Sequence, residues 1–151
     1  MTSMTCFAPL SRAVGLLALT TLSSACTITQ QVDPVVVPTG SEVCIIENAE
    51  VRAGFVDEVR STLASNGYRF KMLPSDAQVS DCEIAMTYTA RWSWDLTIYM
   101  SYARLQIFNK GIAVGDAVYD STRGGGNMNK FIDAEPKIRE LVTQLLPPQG
   151  G

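Results

Sequence analysis

The sequence predicts an α+β fold: a two-layer sandwich in which a five-stranded mixed sheet carries two helices on one face. Three observations predict it. A short apolar run, a helical stripe and a second short apolar run follow one another between Val43 and Leu73, the spacing of a βαβ unit. Three longer stretches of period two lie between Cys82 and Thr122, joined by turn residues. A last helical stripe closes the chain after Asp133. The expected order is β-α-β-β-β-β-α.

The chain opens on a segment that does not belong to this domain. Arg12 is the single charge before an apolar core from Ala13 to Leu22. That core has about the length of a secretory h-region and falls short of the roughly 20 residues that span a bilayer. Leu22-Ser23-Ser24-Ala25-Cys26 follows, small residues and then a thiol, and resembles the lipobox of bacterial lipoproteins. The resemblance implies that residues 1–25 are removed and that Cys26 is acylated and becomes the first residue. Leu22 stands one place further from the cysteine than the commonest pattern has it. The alternative is an ordinary signal peptide cleaved near Ala25. Thr27 stands where an aspartate often marks inner-membrane retention, which favours the outer membrane.

Residues 26–42 read as a lipid-anchored, extended tether, since Pro34, Pro38 and Gly40 interrupt any regular element. Val35-Val36-Val37 is unusual in a solvated tether, so part of it is expected to lie against the domain. The domain itself is expected over 43–148. Val43–Glu47 is almost continuously apolar, as suits a strand covered on both faces. Val51, Phe55, Val59 and Leu63 fall four apart on one face of a helix that Asn66-Gly67 ends. Tyr68–Leu73 alternates as a strand parallel to the first.

From Cys82, the residues Ile84, Met86, Tyr88, Ala90, Trp92 and Trp94 share one face of the longest strand. In the next strand the apolar positions change face between Met100 and Ala103, which predicts a bulge. Asn109-Lys110-Gly111 is a hairpin signal. The returning strand, Ile112 to Thr122, carries Ala113, Gly115 and Ala117, small residues that let a helix approach. Asp133 is the expected N-cap of a final helix with Ile138, Leu141, Val142 and Leu145 inward. Pro147-Pro148 stops it, and 149–151 is expected to be a disordered tail.

Composition bounds the function. After loss of Arg12 with the signal, eleven basic residues face fifteen acidic ones, a net charge of −4. That balance argues against nucleic acid and against electrostatic adhesion to anionic lipid, so attachment rests on covalent acyl chains. Cys6 leaves with the signal and Cys26 is used by lipid. Cys44 and Cys82 remain. In an oxidising compartment they favour a disulfide worth about 4 kcal/mol in the chain-entropy model; the other reading is two buried free thiols. No metal and no cofactor is expected, because the chain has no histidine and no Cys-x-x-Cys. Without histidine, a G-x-S-x-G serine or a carboxylate pair marked by spacing, catalysis is not expected either.

Two segments are candidate binding elements. Trp92-Ser93-Trp94-Asp95 offers rigid aromatic area at a strand end, or simply finishes that strand's buried face. Trp94 and Asp95 are the candidates here. Arg123-Gly124-Gly125-Gly126-Asn127-Met128-Asn129-Lys130 is a glycine-rich loop before a helix. Its Arg123, three glycines, Asn127, Asn129 and Lys130 suit a partner or polar ligand, and a glycine-rich loop at a helix start also suits a phosphate-type anion. The plain alternative is a tight connection. It lacks the G-K-[S/T] of a Walker A loop. Asp95 and Arg123 are expected to pair, bringing loop and tryptophan onto one surface.

The segments VCIIENAEVR, YTARWSWDL and YDSTRGGGNMNKFIDAEPKIRELV, with the lipobox, resemble a family of small, functionally uncharacterised Gram-negative outer-membrane lipoproteins, the Sbal-type lipoproteins. The resemblance spans Val43 to Pro147 and implies no established activity. By analogy with other envelope lipoproteins it implies an accessory or regulatory role. The expected function is a periplasm-facing outer-membrane lipoprotein that binds another envelope protein. The alternative is a binder of a glycan or lipid headgroup.

Overall fold

The computed structural model describes residues 27–150; the signal segment, Cys26 and Gly151 lie outside the described residues. The elements are β1 (Thr29–Asp33), β2 (Glu42–Ile46), α1 (Ala53–Ser65), β3 (Arg69–Leu73), β4 (Ile84–Asp95), β5 (Thr97–Asn109), β6 (Ile112–Asp120), a 3₁₀ turn (Met128–Lys130) and α2 (Ala134–Leu145). The strands form one mixed sheet in the order β1-β6-β5-β4-β2-β3. The class is α+β as expected, with six strands rather than five.

Beside β2, β3 and β4 both run parallel to it, and the other pairs are antiparallel. As an interior strand β2 buries Val43, Cys44, Ile45 and Ile46 in succession, which accounts for its unbroken apolar run. Helix α1 turns Phe55, Val59 and Leu63 inward. It ends where Gly67 takes φ +85°. There the Tyr68 N–H reaches the Leu63 carbonyl and the Gly67 N–H the Ala64 carbonyl, a Schellman closure. Helix α2 buries the four residues its stripe predicts. Asp133 holds the N-cap position with its side chain uninvolved. The helices pack side by side, joined by Arg139–Glu58 and by the Asn66 amide on the Leu146 carbonyl.

The bulge predicted for β5 is present. Arg91 lies opposite Tyr102 but Trp92 opposite Met100, so Ser101 is the extra residue. A second bulge falls at Val114, which shifts Ala113 out of the inward register and leaves Gly115, Ala117 and Tyr119 facing the core. Lys110 and Gly111 both take positive φ in the two-residue β5–β6 turn.

The tether expectation is corrected. Thr29–Asp33 is an edge strand, antiparallel to β6. An edge strand is held by its backbone and needs no apolar period, so Thr-Gln-Gln-Val-Asp carries no strand signal. Of the valines that follow, Val35 and Val37 lie on the domain, and Val36 between them is exposed. The Val35 N–H donates to the Leu145 carbonyl at 2.8 Å, and Val37 is buried. Gly115 makes room for them, since a Cβ there would stand 2.1 Å from Val35 Cγ2. The tail is corrected in part: Gln149 is tied down, its N–H on the Asn66 carbonyl and its side chain on Pro38 and Gly40.

Candidate binding surface at the projecting hairpin

Cys44 and Cys82 form a disulfide with Cα atoms 6.3 Å apart. Cys44 lies in β2 opposite Ala85, and Cys82 reaches it from the segment just before β4. This bond fixes the end of the sheet away from the candidate residues.

At the other end β4 and β5 outrun their neighbours. Beyond Arg91 and Tyr102 they pair only with each other, down to a turn at Leu96 between Asp95 and Thr97. Cross-strand pairing sets Trp92 opposite Met100 and Trp94 opposite Ile98. Trp92 stays with the core, edge-on to Phe55 and beneath the Arg52 guanidinium at 4.8 Å. Trp94 does not. It is 75% exposed, and Leu96 and Ile98 beside it are 79% and 57% exposed. The sequence parity of the two tryptophans is right, but the helices do not extend far enough to cover the second. Leu96, whose φ is +62°, forms the tip.

The segment after β6 fills the vacant edge of this hairpin. The Ser121 N–H and hydroxyl both donate to the Ser101 carbonyl, so the bulge residue is the docking point. Gly124 is buried against the carbonyl of Ser121, which a Cβ would approach to 2.9 Å. Gly125 takes φ +50°, and a Cβ on Gly126 would meet nothing within 4 Å. Asn127 caps the 3₁₀ turn, its Oδ1 accepting from the Asn129 N–H at 3.0 Å. Asn129 and Arg123 are exposed.

The expected Asp95–Arg123 pair is corrected: Asp95 pairs with Lys130. The 3₁₀ turn points the Lys130 side chain inward, where it is 4% exposed. Its ammonium donates to the Asp95 carboxylate and the Gly125 carbonyl and lies over the Tyr99 and Phe131 rings. A charge so buried needs partners, and these are what clamp the loop to the hairpin. Arg123 instead acts on Asp120. Burial raises that carboxyl, but bonds from Thr122 and the charges of Arg91 and Arg123 outweigh it and hold it below its usual value. Sequence reasoning missed Leu96, Ile98 and Met128, the last 66% exposed in the loop. The signal was an apolar residue on either side of a charged strand end.

The comparisons with known proteins speak to the fold. No protein-family model matches the chain, and no curated protein does. Among solved structures, the PelC dodecamer from Paraburkholderia phytofirmans matches with a TM-score of 0.52 and 12% identity, over 83% of this chain and 99% of that one. A form of the same dodecamer carrying a single leucine-to-methionine substitution matches with a TM-score of 0.52 and 9% identity, over 79% of this chain and 94% of that one. At that identity the likeness is one of fold.

Beside the loop lies an open cleft of about 520 Å³, lined by Thr27, Tyr119, Asn127, Asn129, Ile132 and Lys137 among others. The Tyr119 hydroxyl is buried there without a hydrogen-bond partner. Lys137 lies over its ring and is engaged by Glu140 and Gln30. Among the described residues no group of acidic, cysteine or histidine side chains could hold a metal ion, and no helix is long and apolar enough to cross a membrane.

Proposed function

We propose that this chain is an outer-membrane lipoprotein, acylated on Cys26 and facing the periplasm, that acts without catalysis by binding another envelope protein. The lipobox-like segment and the resemblance to Sbal-type lipoproteins support the attachment. The observation that carries the binding role is the loop at the hairpin end. Buried Lys130 fixes it from within, and Arg123 and Asn129 stand outward on a backbone already ordered for recognition. The PelC neighbours are dodecamers, so a second copy of this chain is the first partner to test. A photo-cross-linker at Asn129 in cells should give a discrete product. Twice the chain's mass identifies a second copy and another mass a different envelope protein. No product, with the protein folded and present, overturns the reading.

A second reading, a glycan or lipid headgroup in the cleft, is favoured by the unpartnered Tyr119 hydroxyl. Tyr119→Phe would weaken such a ligand and leave cross-linking at Asn129 unchanged.

A further inference from the structure

We infer that the β4–β5 tip docks on the bilayer itself, with Trp94, Leu96 and Ile98 immersed in the interface of the leaflet that holds Cys26; this rests on the lipid-anchored reading above.

Where the chain leaves the structure is the first reason. Thr29 lies opposite Asp120, Asp120 opposite Tyr102, and Tyr102 opposite Arg91, one row across four strands. Strand β1 runs away from the hairpin tip, so the residues before Thr29 lead toward it. Ile28 follows that course, since a Cβ on Gly124 would stand 3.5 Å from both Ile28 Cγ1 and Lys130 Cβ. From that row to Leu96 is five residues of strand, about 16 Å at roughly 3.3 Å per residue. From Thr29 back to Cys26 is three residues, a reach of about 10 Å. Thr27 and Ile28 therefore lead toward the tip's end of the molecule, and Cys26 is the next residue of the chain.

The chemistry of the tip is the second reason. Trp94 faces Ile98 across the strands with Leu96 beyond, an apolar cap that a tryptophan borders, as at membrane interfaces. The one carboxylate within it, Asp95, is matched by Lys130, which lowers the cost of bringing that end to lipid. Arg52 and Arg91 are exposed behind the tip, accompanied by Glu50 and the half-buried Asp120. Size favours lipid over protein. Apart from the loop, the tip's Trp94, Leu96 and Ile98 expose on the order of 400 Å², short of the roughly 800 Å² per partner of a stable protein interface. As a second attachment beside covalent lipid the same area suffices, because each signal need only add to the other.

The test uses the acylated protein carrying Trp92→Phe, which leaves Trp94 as the sole tryptophan, in phosphatidylethanolamine–phosphatidylglycerol vesicles with or without brominated acyl chains. Trp94 emission should fall roughly twofold or more in brominated vesicles, as a tip seated in the interface requires. Equal emission in both overturns the inference, and shielding of Trp94 that grows with protein concentration in their place assigns the tip to a second copy. With the unacylated Cys26→Ser protein, Leu96→Ser should lower partition into the same vesicles roughly tenfold; unchanged partition also overturns it. Intact mass of the wild-type sample reports acylation separately. A chain without acyl mass defeats the anchoring reading and leaves the vesicle measurement to decide the tip.

Discussion

The middle of the sheet and its projecting end are made of similar residues and held together in opposite ways. At β2, four consecutive side chains are buried between neighbours on both edges, and a disulfide secures the strand. There stability comes from area removed from water and is spread over many side chains. At the hairpin end, strands pair only with each other, three large apolar side chains face outward, and one buried ammonium holds the adjoining loop. In the second, the Lys130 ammonium ties the loop to the hairpin beside the Ser121 bonds to Ser101.

The largest expected effect separates the two regions directly. Phe55, 2% exposed and stacked on Tyr88, belongs to the first. Phe55→Ala should cost about 3–5 kcal/mol, whereas Leu96→Ser should stay within about 0.5 kcal/mol. Urea unfolding measures both. Similar costs would erase the distinction.

Next in size is the clamp, which is asymmetric. Asp95→Asn leaves the buried Lys130 ammonium without its counter-charge and should cost about 2–3 kcal/mol. Lys130→Met removes the buried charge and leaves Asp95, 52% exposed, to water; its cost should be about 1 kcal/mol. The reverse order in denaturant midpoints would mean that Asp95 rather than Lys130 is the demanding partner.

How much of this was legible in the sequence follows the same division. The interior strand, both helical stripes and the Ser101 bulge follow from apolar periodicity, because burial writes itself into the pattern. That Asp95 meets the glycine loop was legible from connectivity. The identity of the clamp was not. A lysine among asparagines and glycines looks solvated, and only the 3₁₀ turn at Met128–Lys130 directs it inward to a residue 35 positions earlier. Strand β1 was hidden because its pairing is made by backbone groups that every sequence carries.

The smallest expected effect concerns that strand. The Glu140 carboxyl is held below its ordinary value of 4.5 by bonds from Lys137 first and Gln30 second, which outweigh its burial. A depressed folded value means that its contribution is complete above pH 4.5 and is lost as pH falls through the folded value. Gln30 lies in β1, so acid should loosen β1 from α2. Glu140→Gln should flatten part of the decline in melting temperature below pH 4.5; an identical acid profile would remove the carboxylate from the account.

Every role assigned to the hairpin end supposes that the chain is held at Cys26. Intact-mass analysis of the protein purified from membranes tests this most directly. The account predicts a mature chain that begins at Cys26 and carries acyl chains, with the Cys26→Ser variant unacylated. A mature chain that begins elsewhere, or begins at Cys26 without acyl mass, would contradict it.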